Sequence, residues 1–377
     1  MATILQLLPD LDAGGVERGT LEIARELVRR GHRSLVMSNG GRLVSQLECE
    51  GSTHIQGPIG KKSPLTFWQI ARLRRLLNEE GVDLLHARSR VPAWVSWLAW
   101  RSLPEATRPR FVTTVHGLYS PGAFSKIMTR GEVVIAVSRT SEAYIRNSYP
   151  DVPMSKVRRI VRGVDPAEFP HGFVPTAEWQ SCFATQFPQA VGRKLLTLAG
   201  RITRLKGHAD FIELMRRLKS QGVAVHGLIV GGEDPRRAQY SAEVRELIRS
   251  CGLSDDITLT GHRSDIREVL SISHAALSLS TKPESFGRAV LEALSLGVPV
   301  IGYAHGGVGE ILGDLFPSGS VPLGNIDRLT EVVNGHLARP RSLVPEFSLY
   351  RLATMQSDEV TLYEEMIAER TSLSRAA

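Results

Sequence analysis

The sequence predicts an α/β protein of two Rossmann-like, doubly wound parallel-sheet domains facing a central cleft. Three observations carry this. Short β-branched apolar runs alternate with helix-period segments, the order that a parallel sheet with crossover helices requires. The alternation halts at residues 166–192, rich in Pro, aromatic and polar residues and without a period, and then restarts. A chain of 377 residues also suits two cores better than one. The expected division is residues 1–165 for the first domain, 166–192 for a linker and 193–345 for the second domain. Residues 346–377 form a helical tail expected to pack back on the first domain.

In the first domain, residues 3–8 read as a strand and 16–30 as an amphipathic helix closed by Gly31. Residues 34–38 are a strand, and 42–50 a helix closed by Gly51. Residues 65–80 are a helix stopped by Gly81, followed by a strand at 83–87. Residues 111–115 and 133–137 are apolar runs of the doubly buried kind. In the second domain, strands are expected at 194–199, 224–230, 257–260, 275–280 and 298–302, with helices between them. In the tail, residues 347–370 read as a helix that offers Leu352, Met355, Tyr363, Met366 and Ile367 for packing.

Hydrophobic residues make up 42% and charged residues 23%, ordinary for a soluble globular chain. The longest apolar run, residues 91–100, is half of what a bilayer span needs and contains Pro92 and Ser96. The first residues lack a charged segment and run straight into a strand, so no signal peptide is expected. Cys49, Cys182 and Cys251 are scattered and odd in number, which points to a reducing, cytoplasmic setting without a disulfide frame. The formal net charge is +7. Part of it clusters at Arg25, Arg29, Arg30 and Arg33 around the first helix, and at Lys61, Lys62, Arg72, Arg74 and Arg75 around the third. Such faces make an anionic membrane surface a candidate partner, on the inner side of the cytoplasmic membrane. Nucleic acid is disfavoured, because aromatics are only 6% of the chain and do not cluster at these basic patches.

The segment with most chemical content is residues 280–294. Glu284 precedes a helix and Glu292 lies within it, while Phe286, Gly287 and Arg288 supply the open N–H groups of the helix start, suited to phosphate. Ionised carboxylates only accept hydrogen bonds, and sugar hydroxyls donate them. In the same half, Arg201 and Lys206 lie on the loop after a strand, where two cations can meet a diphosphate. In the first half, Gly14 and Gly15 let backbone approach a ligand just before a helix. His116 closes the strand at 111–115 and can donate to a substrate oxygen. His262 and Arg263 close another strand and could edge a nucleobase, and the glycine-rich run 303–310 adds backbone at the same rim.

No G-x-G-x-x-G or P-loop pattern occurs. The one D-x-D, Asp10 and Asp12, is expected to be a turn feature, and no histidine pair has zinc spacing. No metal and no cofactor are expected.

Taken in order, Gly14-Gly15-Val16-Glu17-Arg18, His116-Gly117, Gly200-Arg201 with Lys206-Gly207, Thr260-Gly261-His262, Glu284-Ser285-Phe286-Gly287 with Glu292, and Gly306-Gly307-Val308-Gly309-Glu310 resemble the retaining, nucleotide-sugar-dependent glycosyltransferases of family 4, with the GT-B fold. The stretch His86-Ala87-Arg88-Ser89-Arg90 is similar to bacterial members acting on lipopolysaccharide core or other envelope glycans. The resemblance implies that Arg201 and Lys206 hold the donor diphosphate, Glu284 the donor sugar and Glu292 the ribose. Backbone at Phe286 and Gly287 would line phosphates and sugar. Gly15 would approach the diphosphate, His116 would sit beside the transferred sugar, and Glu17 and Arg18 would lie on the acceptor side. It further implies metal-independent transfer from a UDP-sugar to a glycan or lipid-linked acceptor. Two other functions fit the fold: a nucleotide-sugar epimerase, which needs further acid/base groups around the sugar, and a non-catalytic sugar-nucleotide-binding protein, which would not need all four of Arg201, Lys206, Glu284 and Glu292.

Overall fold

The computed structural model describes residues 1–12, 14–60, 66, 68–232 and 238–376. Lys61, Lys62 and Leu65, where the third helix is expected to begin, lie outside the described residues. The chain divides into two compact units, Met1–Arg162 with Leu352–Ala377, and Gly163–Arg351.

The first unit runs β1 (Thr3–Leu7), α1 (Gly15–Arg29), β2 (Arg33–Ser38), α2 (Val44–Cys49), β3 (Thr53–Gln56), α3 (Trp68–Glu79), β4 (Leu84–Ala87), α4 (Arg90–Arg101), β5 (Arg110–Val115), β6 (Val133–Ala136), α5 (Arg139–Ser148) and β7 (Val157–Arg159). Its seven strands lie in the order β3-β2-β1-β4-β5-β6-β7. The second unit contains α6 (Ala177–Gln186), β8 (Lys194–Ala199), α7 (His208–Ser220), β9 (Val225–Val230), α8 (Ala238–Ser250), β10 (Ile257–Gly261), α9 (Ile266–Ile272), β11 (Ala275–Ser278), α10 (Arg288–Ser295), β12 (Val300–Tyr303), α11 (Gly306–Leu315), β13 (Ser320–Val321) and α12 (Ile326–Leu337). Its six strands lie in the order β10-β9-β8-β11-β12-β13. The pairings on both sides of each reversal, β1 with β2 and β4, and β8 with β9 and β11, are parallel. Strand order therefore reverses at β1/β4 in one unit and at β8/β11 in the other. Crevices outside the carboxyl ends of such strands are where open α/β sheets take ligands. The Gly14-Gly15 turn follows β1, and the Arg201–Lys206 and Ser280–Gly287 loops follow β8 and β11.

The chain leaves the first unit after Arg162, and residues 166–192 belong to the second unit instead of linking the two. The reason is α6. Thr176 caps it by accepting from the Trp179 N–H at 3.2 Å, and Phe183 and Phe187 pack with Leu195, Leu228 and Val269. The last helix, α13 (Leu352–Ala376), belongs to the first unit, with Leu352, Met355, Tyr363 and Met366 buried against Ile4, Leu84, Val112 and Ile135.

Under α13 lies a buried polar network. Arg88 Nε donates to Gln6 at 2.7 Å and Arg88 Nη2 to Glu359 at 2.5 Å. Tyr363 donates to the same Glu359 oxygen at 2.6 Å, and the His86 ring spans Tyr363 and Thr114 at 2.6 and 2.7 Å. His86 and Arg88, read in the sequence as part of an envelope-enzyme signature, are thus interior residues, both 0% exposed.

The basic cluster expected around the first helix is largely neutralised. Arg25 pairs with Glu50, Arg29 and Arg30 with Glu26, Arg30 also with Glu364, and Arg33 with Glu80. On α3, by contrast, Arg72, Arg74 and Arg75 are exposed and make no ion pair with the described residues.

Two interior histidines give the second unit an acid sensitivity. His208 is held at about 4 by burial and then by Lys206, and His226 at about 4 by burial and then by Arg193. Both values lie below the unfolded one, so between about pH 4 and 6.5 the unfolded chain binds more protons. This stability is present above pH 6.5 and lost as pH falls toward 4, about 3 kcal/mol per histidine at most. Urea unfolding of His226→Gln is expected to depend less on pH in this window than the parent; parallel curves would refute it.

Candidate functional site

In the second unit, the loop after β8 turns through a short 3-10 segment, Arg204–Lys206, into α7. Gly207 joins the two with φ +71°, and a Cβ there would stand 1.9 Å from the Leu279 carbonyl oxygen. Only glycine lets this loop pass so close to the end of β11. Thr281 N–H donates to the Leu205 carbonyl at 2.8 Å and ties the two loops together. Lys206 Nζ thereby comes to 2.7 Å from Glu284 Oε1, which also accepts from the Ser280 hydroxyl. Oε2 of Glu284 makes no hydrogen bond to the described residues. Lys206, Glu284, Gly287 and Arg288 line one small cavity of about 30 Å³ at the N-terminus of α10.

The glycine pair at the start of α11 serves this loop. Gly307 N–H donates to the Glu284 carbonyl at 2.8 Å, and a Cβ on Gly307 would lie 2.4 Å from Phe286 Cα. His305 Nε2 hydrogen-bonds the Ser280 carbonyl at 2.7 Å. The Glu284 backbone is thus fixed by close contact with α11, whose glycines the sequence suggested were for ligand approach. Ser280 and His305 carry no signal of their own in the sequence beyond lying beside marked residues.

The other marked residues divide. Arg201 is exposed and pairs with none of the described residues. Glu292 is 6% exposed, and its Oε1 accepts from Arg288 Nε at 3.0 Å, one turn earlier on α10. His262 is exposed at the end of β10. Arg263 instead forks onto Asp265 at 2.8 and 2.5 Å and reaches Gln186 at 2.8 Å, so its guanidinium braces α9 against α6.

In the first unit, Gly15 opens α1 with empty space where a Cβ would point. The Glu17 carboxylate folds back over Gly14, where an added Cβ would lie 2.5 Å from Oε2, and Arg18 lies on the same first turn, partly exposed. His116 closes β5 and faces Arg162, whose Nη2 is 2.8 Å from Nδ1. Burial first, and then the Arg162 and Arg88 cations, hold this imidazole well below the ordinary histidine range, so it is neutral at physiological pH. Asp10 and Asp12 are turn residues, accepting from the Asn39 amide at 3.3 Å and the Arg42 N–H at 3.2 Å. Among the described residues no group of three His, Cys, Asp or Glu side chains is placed to hold a metal ion, and no helix is long and apolar enough to cross a membrane.

Residues 13–168 match the family model described as Glycosyltransferase Family 4, and residues 184–342 the model described as Glycosyl transferases group 1. The two doubly wound units are those of a GT-B glycosyltransferase. The chain belongs to glycosyltransferase family 4. It is 24% identical over 320 residues to N-acetyl-alpha-D-glucosaminyl L-malate synthase of Bacillus anthracis, an alignment covering 81% of this chain and 79% of that protein. The crystal structure of a glycosyltransferase from Rickettsia africae superposes with a TM-score of 0.83 at 29% identity, covering 97% of this chain and 98% of that one. Alr3699/HepE of Anabaena, crystallised with UDP and glucose, superposes at 0.77 with 21% identity over 99% of this chain and 100% of that one.

Proposed function

We propose that this glycosyltransferase moves a hexosyl or N-acetylhexosaminyl group from a UDP-sugar to a glycan or lipid-linked acceptor of the cell envelope, with retention of configuration and without a metal. One observation carries the donor reading: Lys206 and the Glu284 carboxylate meet at the helix N-terminus beside the β8/β11 reversal. A lysine point charge and open backbone N–H groups suit phosphate, and a carboxylate oxygen without a partner among the described residues suits sugar hydroxyls. Uridine as the nucleoside of the donor is supported by the UDP-bound Anabaena neighbour. Arg201 and Lys206 stabilise the charge that develops on the departing diphosphate, and His116 donates to the transferred sugar. Catalysis is electrostatic, with attack on the face from which the diphosphate leaves.

A thermal-shift panel of UDP-, GDP- and ADP-sugars tests the reading, since a true donor raises the melting temperature by mass action. A UDP-sugar that stabilises the protein, followed by transfer undiminished in excess chelator, supports it. No shift with any nucleotide sugar, or activity that chelator abolishes and manganese or magnesium restores, refutes the corresponding part.

The two glutamates should fail differently. Glu284→Ala is expected to weaken the UDP-sugar but leave UDP almost unchanged, because UDP lacks the sugar. Glu292→Ala weakens both, since both carry the ribose. The expected loss is about 1.5–3 kcal/mol per charged hydrogen bond removed, read by calorimetry. Equal losses of UDP affinity in the two variants would reverse the assignment.

The membrane contact, with the protein on the cytoplasmic side, rests on α3. Trp68 is 76% exposed, and Arg72 and Arg75 follow at helical spacing on its face. Co-sedimentation with anionic vesicles is expected at low salt and lost in Arg72→Ala/Arg75→Ala. Binding unaffected by that double change would exclude α3 as the contact.

A further inference from the structure

We propose that Arg162 is the positioning residue of His116, fixing its neutral ring as the Nε2–H tautomer so that this N–H is the one offered to the transferred sugar. The identity of the ligand rests on the glycosyltransferase reading above; the tautomer does not.

A guanidinium carries only donors, so the ring nitrogen that faces it must present a lone pair. Arg162 Nη2 is 2.8 Å from His116 Nδ1 and 3.5 Å from Nε2, which makes Nδ1 the acceptor. With the ring neutral, its one proton is then on Nε2. Protonation of Nδ1 would set two cations face to face, and Arg88 and His86 add to the cost. The donor to the sugar is thereby chosen by a residue 46 positions along the chain.

The guanidinium is built into place. Arg162 is 7% exposed, and its Nη1 lies 3.4 Å from the Met355 sulfur on α13. Its backbone N–H reaches the Val137 carbonyl just beyond β6 at 3.4 Å, so the carboxyl ends of β5, β6 and β7 meet at this point. On α1, a Cβ added to Gly19 would stand 2.9 Å from Nη1 and 3.2 Å from Cζ. Glycine is a poor residue inside a helix. Here the missing side chain leaves the volume that the guanidinium fills.

Histidine ring 15N NMR of the full chain tests this without any ligand, with the His116 signal assigned by its loss in His116→Gln. The expected spectrum shows an unprotonated Nδ1 and a protonated Nε2 from pH 5.5 to 8. A protonated Nδ1 in the parent protein overturns the proposal. Arg162→Met is expected to release the ring to a mixture of tautomers, and Arg162→Lys, which keeps a donor, to restore most of the parent pattern. Gly19→Ala, which displaces the guanidinium without removing it, should reproduce the Arg162→Met spectrum; an unchanged tautomer in both overturns the positioning role. Calorimetry adds the functional readout. Arg162→Met and His116→Gln should each weaken UDP-glucose about tenfold relative to UDP, the scale of one hydrogen bond. A tautomer change with no change in UDP-glucose affinity would refute the sugar-facing role of His116 while leaving the Arg162 contact standing.

Discussion

Alanine at Glu359 is expected to cost the first unit about 3–5 kcal/mol, the scale for stripping the partner from a buried charge. Glu359 is 1% exposed and Arg88 0%. Among the described residues Arg88 Nη1 already lacks a hydrogen-bond partner, so without the carboxylate only the Gln6 oxygen, and Tyr363 at 3.5 Å, would remain of its partners there. Water cannot take over in a packed interior, so the loss is that of an uncompensated charge and exceeds that of one hydrogen bond. Tyr363 would also lose its acceptor, and with it the orientation of the hydroxyl that meets His86. Glu359→Gln, which keeps shape and an acceptor oxygen but removes charge, should fall between parent and alanine. Replacing both partners, Arg88→Met with Glu359→Leu, should recover most of the loss, because well-packed apolar groups replace a buried pair at little cost. Urea unfolding measures all three. A loss under about 1 kcal/mol for Glu359→Ala would place this pair with ordinary surface contacts.

Residues 194–199 fold as the strand expected, because a central parallel strand is buried on both faces and its apolar run is continuous. The two edge strands of the first unit, β3 and β7, were not legible. In β7 only Val157 is buried, and β3 has no buried residue. In the sequence α4 shows only as an apolar run, because its Trp94, Trp97 and Trp100 are half-buried and blur the helical stripe. Along α6 and its C-cap, Trp179, Phe183 and Phe187 recur every four residues with neighbouring ring centroids 5.0 Å apart, a period obscured by the Pro-rich flanks. In the sequence, His86 and Arg88 stand out only as part of a stretch similar to envelope-glycan enzymes. They lie on or just beyond β4, which is sandwiched between β1 and β5, so their polar groups must be satisfied internally by a helix more than 260 residues away. The site was legible as residue types in loops, since glycines and charges at strand ends carry their own signal. What each touches was not: the Lys206–Glu284 contact spans 78 positions and exists only because β8 and β11 are neighbours.

That contact makes Lys206→Ala the most informative change at the site. Turnover is expected to fall about a hundredfold or more, as when an enzyme loses a charge partner of its transition state. Two roles for Lys206 predict different patterns. If it neutralises the departing diphosphate, the loss falls chiefly on kcat, because the charge develops only as the sugar–phosphate bond breaks. If it merely holds Glu284, the single change should mimic Glu284→Ala and the double variant should be no worse than either. A double-mutant cycle separates them. The geometry favours the first role, because Glu284 keeps its Ser280 hydroxyl and is further fixed through its backbone by Gly307, so it stays placed without the lysine. The double variant is therefore expected to be much slower than either single one. Arg201→Ala should resemble Lys206→Ala in kcat and leave Glu284 untouched, since Arg201 pairs with none of the described residues. Lys206→Arg should retain part of the rate, as a guanidinium still meets a phosphate while its planar fork sits differently in a cavity of about 30 Å³. Near-parental turnover in both Arg201→Ala and Lys206→Ala, assayed as release of nucleoside diphosphate, would remove the diphosphate from this loop.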